Sequence, residues 1–308
     1  MNIGHHLIIV VAVVCMILPI WLRLYSLSWT CNNLNSNNPN TTTPTPTMKS
    51  YYHEIEPNQC TSHNEVVYDK FYRTEGKLRS PEQFYSEADW PPKDIIQTSA
   101  SGVGSNRGYM TVASLRILKD AIMKFSVKSM LDVPCGDVNW ILDSIVTDTL
   151  PLYVGLDGAS SVIEVNKKRF AHHNNKRFEF WDATECIFPR FINGTTNTEQ
   201  VFDLVHIRDV IQHLTLDQGL KYFCNAFLSG VKVLVTTSHD GEWRGDKLGN
   251  IDIEEGGYYD ANLFSEPFSF PEGNCTRHDK RERRAFTCVF DLTNSDWKEY
   301  ISSKCFKA

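Results

Sequence analysis

Three aspartates, Asp132, Asp157 and Asp182, each close a short apolar run, and this recurrence is where the chain concentrates its chemistry. The first is followed by Val133-Pro134-Cys135-Gly136-Asp137 and then by Val-Asn-Trp140, so a strand runs into an acid, a tight turn and what reads as a helix start. Open α/β sheets hold their ligands at such strand ends. Gly136 lets backbone approach a bound group closely, and the following helix N-terminus offers free N–H donors. The turn is neither a GxGxxG dinucleotide loop nor a phosphate-binding P-loop, and Asp132 would repel a pyrophosphate. It suits a ligand with a positive charge. Asp157 ends the next strand, where a carboxylate can accept both hydroxyls of a ribose. Each acid alone also fits a plain helix N-cap. Three at successive strand ends make a ligand site the joint reading.

A second constellation is Val205-His-Ile-Arg-Asp-Val-Ile-Gln-His-Leu214. Asp209 and His213 are spaced i, i+4 and would share a helical face. His213 as a base oriented by Asp209 is one reading; the other packs His213 under the sheet and uses Asp209 as a cap. His206 reads as a strand residue with a structural partner, and Arg208 as a group for an anionic substrate or a neighbouring acid. His239, just past a later strand, is a further acid–base candidate. No C-x-x-C pair is present, so no metal site is expected. Magnesium at Asp209 or Asp252 stays open, without a clean ligand set.

The elements that must position these groups alternate. Strands are expected at Ser129–Val133, Leu152–Leu156, Arg177–Trp181, Phe202–His206 and Val231–Thr237, with helices at Ser161–His172 and Thr215–Ser229. That order predicts a Rossmann-like, doubly wound α/β fold: a mostly parallel seven-stranded sheet with helices on both faces. Ala285–Leu292 would add an antiparallel edge strand, and Gly155 and Gly158, flanking Asp157, suit close ligand approach. An amphipathic stretch, Tyr109–Phe125, follows the Gly/Ser-rich loop Ser99–Ser105. Aromatic residues from Asn64 to Ala88 suggest one or two covering helices.

The turn at Asp132 resembles motif I of the class I S-adenosylmethionine-dependent methyltransferases, in the branch that reads Asp-x-Pro-Cys-Gly-Asp-x-x-Trp. Bacterial members of that branch often look like sugar- or polysaccharide-modifying enzymes. The segment Asn250–Pro271 resembles the Asn-x-Asp-Ile…Asn-Leu…Pro-Phe-x-Phe-Pro stretch of the same branch, and the likeness runs from about Ser99 to about Pro271. It implies S-adenosylmethionine as cofactor, with Asp132, Pro134, Cys135 and Gly136 around its amino acid end, Asp157 on the ribose, and Asp182 and Ala183 at the adenine. It also implies that the Ser99–Ser105 loop closes over the methionine end; a plain interdomain loop is the alternative. Many members of the wider family carry Gly-x-Gly where this chain has Pro134-Cys135. Tyr258 and Tyr259, among Asn250, Asp252 and Asn262, suit a sugar, and equally suit a loop packed over the sheet.

Net charge is −6, with no broad basic surface, so a nucleic-acid partner is not expected. Leu7–Leu22 is apolar and uncharged, short of the ~20 residues of a full span unless Leu24–Leu27 extends it. It reads as a signal-anchor, or else as a cleaved signal peptide and a secreted product. The Asn/Thr/Pro-rich stretch from Asn32 to Thr47 cannot bury enough apolar area to fold. Anchor, stem and globular domain together resemble type II glycan-processing proteins of the Golgi. Acceptor motifs at Asn40, Asn193 and Asn274 fit that luminal address. So do nine cysteines, with pairing plausible among Cys31, Cys60, Cys275, Cys288 and Cys305, and Cys135 kept as a buried thiol.

The expected organisation is residues 1–28 as signal-anchor, 29–63 as stem, 64–127 as N-terminal helical cap and 128–308 as the methyltransferase domain. The expected activity is O-methylation of a hydroxyl on a glycan acceptor in the secretory pathway. Alternatives are a methyltransferase acting on protein, lipid or a small metabolite, and an inactive cofactor-binding protein of the same fold.

Overall fold

The computed structural model describes residues 52–53, 99, 101, 103–141, 149–194, 196–240, 242–243, 246–247, 249–254, 257–271, 273–277 and 285–306, all within the unit Met48–Ala308. The signal-anchor, the stem, the aromatic stretch 64–88 and the helix expected after Trp140 lie outside them, except that residues 52–53, within the expected stem, form a short strand. Among the described residues no helix is long and apolar enough to cross a membrane.

The main sheet has seven strands: β1 (Ser129–Asp132), β2 (Leu152–Asp157), β3 (Lys176–Phe180), β4 (Leu204–Ile207), β5 (Val233–His239), β6 (Asn274–Arg277) and β7 (Ala285–Asp291). Their spatial order is β6-β7-β5-β4-β1-β2-β3. The central pairs are parallel, and only β7 runs antiparallel, against β5 and β6. A dinucleotide fold has the order 3-2-1-4-5-6; here an antiparallel strand is inserted between the fifth and sixth. Every residue of β1, β2, β4 and β5 is buried, as a parallel sheet covered on both faces requires. The edge strand expected at Ala285–Leu292 therefore sits one place inside the edge, which β6 occupies.

Helices cover both faces. On one, α1 (Tyr109–Lys124) and α2 (Ser160–Arg169) bury Leu118, Ala121, Val162 and Ile163 against Met130, Tyr153 and Val235. A bond of 3.1 Å between the Ser114 and Thr287 hydroxyls ties α1 to β7. The stretch 109–124, grouped by sequence with an N-terminal cap, thus lies on the sheet and shares its core.

On the other face, α3 (Leu216–Leu228) buries Gly219, Tyr222, Phe223, Ala226 and Phe227, the i, i+3, i+4, i+7, i+8 stripe of a helix with one apolar side. It opens on a capping box: Thr215 accepts from the Gln218 N–H at 3.2 Å, and the Gln218 side chain accepts from the Thr215 N–H at 3.1 Å. α4 (Ser295–Cys305), capped by Asn294, contributes Trp297 and Tyr300 to an aromatic cluster with Phe227, Phe270 and Phe290. Each such buried ring contributes roughly 2–3 kcal/mol. Disulfides join Cys224 of α3 to Cys305 of α4, and Cys275 of β6 to Cys288 of β7. The second pair lies within the group of cysteines for which pairing was expected with the connectivity left open; Cys224 was outside that group.

Candidate functional site

A cavity of about 350 Å³ opens along the carboxyl ends of β2, β1 and β4. In sheet order its wall presents Ala183 and Trp181 after β3, Asp157 after β2, the Asp132–Gly136 turn after β1, and His206, Arg208 and Asp209 on and after β4. A parallel sheet aims all these ends the same way, so residues from distant parts of the chain form one row.

The turn after β1 is held from three sides. Gly136 has φ 55, and a Cβ there would run into the Ser101 hydroxyl, so only glycine fits. Its N–H donates to Asp157 Oδ2 at 2.9 Å, and its carbonyl accepts from Asn166 Nδ2 of α2 at 2.8 Å. Asp137 accepts from the Ser99 hydroxyl at 2.8 Å, and its N–H donates to Ser101 Oγ at 2.9 Å. The Ser99–Ser105 segment is thereby latched to the turn, and Ser101, Gly104 and Ser105 line the cavity. Two non-glycine residues beside the site, Val138 (φ 50) and Asp209 (φ 52), have left-handed backbone, an arrangement of order 1–3 kcal/mol that packing must hold.

Asp157 is 4% exposed and accepts N–H groups from Gly136 and Ala159, each at 2.9 Å. These bonds use one lone pair on each oxygen and leave carboxylate capacity at the cavity. Burial raises its pKa from the usual 3.8 to about 6, against the opposing pull of the Ala159 and Gly136 N–H groups. Gly155 does not serve ligand approach as expected: a Cβ there would lie 2.7 Å from Phe178 and 3.0 Å from Cys135, so the glycine admits packing. Gly158 does line the cavity.

Asp182 is fully buried and accepts from the Thr184 N–H and hydroxyl at 3.0 and 2.7 Å. It shapes the turn and is absent from the cavity wall, where Ala183 and Trp181 stand instead. Pro134 and Cys135 line the cavity. Burial, and then the charges of Asp157, Asp132 and Asp137, push the Cys135 thiol well above its ordinary range, so it stays protonated and unreactive.

Asp132, 3% exposed, accepts from the Tyr153 hydroxyl at 2.6 Å on Oδ2 and pairs Oδ1 with His206 Nδ1 at 2.7 Å. Burial and the Asp132 charge hold the Tyr153 hydroxyl well above its ordinary range, so it remains the donor. His206, 1% exposed, has the structural partner its sequence position suggested, and it is also among the residues that line the cavity.

Asp209 and His213 both line the cavity, but not as one helical face. Asp209 precedes the short 3-10 turn Ile211–His213, and its carboxylate meets Arg208 Nη2 at 3.1 Å. His213 Nδ1 lies 3.1 Å from the Gly257 carbonyl. A carbonyl only accepts, so Nδ1 carries the proton and, in the neutral ring, Nε2 carries the lone pair. Among the described residues it is Gly257, from a distant segment, and not Asp209 that orients His213. Arg208 also donates to the Gly104 carbonyl at 2.8 Å and stacks over Trp140 at 4.9 Å.

In the Asn250–Pro271 segment, Asn250 and Asp252 have structural work. Asn250 braces Asn262, and Asp252 accepts the Leu216 N–H at the start of α3 at 3.0 Å. Tyr259 is buried, whereas Tyr258 is 47% exposed, lines the cavity and lies edge-on to His213. His239 is buried at the end of β5 and is not part of the wall. Among the described residues no group of three or more His, Cys, Asp or Glu side chains could hold a metal ion. Trp181, Tyr222 and Gln212, which sequence reasoning did not single out, also line the cavity; an aromatic beside a strand-end acid was the only hint of the first.

No protein-family profile and no curated protein matches this chain. Among solved structures it resembles the N-methyltransferase NodS of Bradyrhizobium japonicum in complex with S-adenosyl-L-homocysteine, at 12% identity and TM-score 0.45, over 68% of this chain and 99% of that one. It also resembles magnesium protoporphyrin IX methyltransferase of Synechocystis with bound S-adenosylmethionine (10% identity, TM-score 0.42, 75% of this chain and 97% of that one). Human N-acetylserotonin methyltransferase gives 11% identity and TM-score 0.42, over 59% of this chain and 52% of that one. At such identities these likenesses concern the fold alone.

Proposed function

We propose that this chain is an S-adenosylmethionine-dependent methyltransferase that methylates a hydroxyl group of a glycan in the secretory pathway. The observation that carries the reading is the row of strand ends in one cavity. There a glycine-only turn is pinned to Asp157, the carboxylate in the place for a ribose diol. The cavity volume falls within the usual range for small-molecule sites. Trp181 and Ala183 offer apolar surface for a purine, and the acids Asp132 and Asp157 make the floor favourable for a cation.

The sulfonium of the bound cofactor supplies an activated methyl group, so the protein's task is alignment plus removal of one proton. His213, which lines the cavity with Nδ1–H held by Gly257, would act as the base through Nε2; Arg208 and Asp209 pair in the wall beside it. Tyr258 offers a flat face at the rim where the apolar side of a sugar ring would rest. The lumenal setting draws on the apolar leader, the acceptor motifs and the Cys224–Cys305 and Cys275–Cys288 disulfides, which persist in oxidising compartments. Resistance of the globular part to protease in intact microsomes is the corresponding check.

Calorimetric titration of the purified chain with S-adenosylmethionine and with S-adenosylhomocysteine tests the core of the proposal. Saturable binding that is lost in Asp157→Ala is expected. No binding to the wild-type chain would end the methyltransferase reading. Comparison of glycans from cells with and without the gene tests the acceptor: loss of one methylated sugar is expected, and an unchanged profile would remove the glycan.

A further inference from the structure

The Asp132–His206 pair lies in the cavity wall between the Asp157 end and the Tyr258 rim, and the proposed proton transfer does not use it. Both residues are buried, they face each other in register across β1 and β4, and their contact is 2.7 Å. Because the second oxygen of Asp132 accepts a hydrogen bond from the Tyr153 hydroxyl, this carboxylate meets a short donor at each oxygen. With Asp132 ionised, Nδ1 of His206 is the donor. Nε2 then bears the lone pair of the neutral ring, has no hydrogen-bond partner among the described residues, and belongs to a residue that lines the cavity. The arrangement converts a buried acid into an acceptor displaced toward the ligand.

Sheet order says what meets it. Neighbouring strands stand about 4.8 Å apart, so β4 lies roughly 10 Å from β2. With the purine at Trp181 and Ala183 and the ribose at Asp157, the next groups along the row belong to the amino acid tail of an adenosyl ligand. The rim with Tyr258 and His213 is the part of the row left to the acceptor. Asp132, Asp137 and Asp157 all act electrostatically on Cys135 at the floor, which favours a cation in this stretch.

We infer that His206 Nε2 accepts a hydrogen bond from the α-ammonium group of the cofactor, and that Asp132 acts on the cofactor through His206, as a positioning residue. The inference rests on the adenosyl reading above and adds which side chain reads the tail.

Two ligands separate the roles: S-adenosylhomocysteine, which carries the α-ammonium, and 5′-methylthioadenosine, which lacks the amino acid. Both are titrated into the full chain in detergent, as wild type, His206→Ala, His206→Gln and Asp132→Asn. Loss of a hydrogen bond to a charged group predicts that His206→Ala weakens S-adenosylhomocysteine about 10- to 100-fold, with methylthioadenosine unchanged within about twofold. His206→Gln, which keeps an acceptor, should recover part of the loss, and Asp132→Asn should show a smaller loss with the same selectivity. Equal weakening of both ligands would make the pair merely structural and overturn the inference. Unchanged binding of both with a fall in kcat would overturn it in favour of a proton-transfer role. If wild type bound neither ligand, the adenosyl reading itself would fail, an outcome distinct from the other two.

Discussion

The carboxyl group of Asp157 should make cofactor affinity depend on pH in a way opposite to its effect on fold stability. Desolvation dominates its environment and raises its pKa from 3.8 to about 6 in the free protein. At about pH 7.5 nearly all of it is ionised, and at about pH 5 only about a tenth is. If only the carboxylate accepts the ribose hydroxyls at full strength, the apparent Kd for S-adenosylhomocysteine should rise by up to about tenfold over that interval. The folding contribution has the other sign. A buried acid with a raised pKa holds more protons folded than unfolded, so its ionisation opposes folding by about 3 kcal/mol at neutral pH, from the shift of roughly two units. That penalty is absent below the unfolded value of 3.8 and grows as pH rises through about 6. Calorimetric titrations across the interval, with Asp157→Asn in parallel, provide the assay. The variant should bind weakly, with a smaller pH dependence. Because His206 and His213 also line the cavity, the difference between the two profiles isolates Asp157. A wild-type Kd that stays flat, or a variant that keeps the full slope, would refute the reasoning.

Three further outcomes follow from particular contacts. Gly136→Ala places a Cβ against Ser101 on a left-handed backbone that disfavours L side chains by about 1–2 kcal/mol, so S-adenosylhomocysteine affinity should fall at least about tenfold with the far-UV spectrum preserved. His213→Ala should leave the Kd for S-adenosylhomocysteine nearly unchanged while lowering kcat by roughly 10²- to 10⁴-fold in a methyl-transfer assay; unchanged kcat would remove it as the base. The double variant Cys224→Ser, Cys305→Ser opens a bridge with a sequence separation of 81, worth up to about 4 kcal/mol in chain entropy, and should lower Tm by several degrees without altering ligand affinity.

Much of the sheet was legible because local signals carry it. Uninterrupted apolar runs ended by acids mark strands buried on both faces, and Leu152–Asp157 came out within a residue of its expected bounds. The helix expected at Thr215–Ser229 likewise came out as α3, Leu216–Leu228. Gly136 was expected to admit a bound group, and the group that approaches it in the structure is the Ser101 side chain. The sequence by itself therefore determined the α/β alternation, the turn after β1 and the candidate acid for a ribose.

Only the tertiary structure decided which acids and histidines work together, because hydrogen-bond partners are set by strand register and loop packing, not by spacing along the chain. Asp132 meets His206 because β1 and β4 are neighbours, although β2 and β3 intervene in sequence. His213 is oriented by Gly257 from a loop 44 residues away, not by Asp209 four positions before it. Asp182, which resembles Asp157 in sequence context, turns into the protein beside Thr184 and leaves the cavity to its neighbours. Gly155, for all its place beside the ribose acid, makes room for Phe178. Periodicity is a property of local backbone geometry, and a one-dimensional pattern carries it. The pairing of buried polar groups is a property of the assembled core, where each donor takes the acceptor that folding brings within reach.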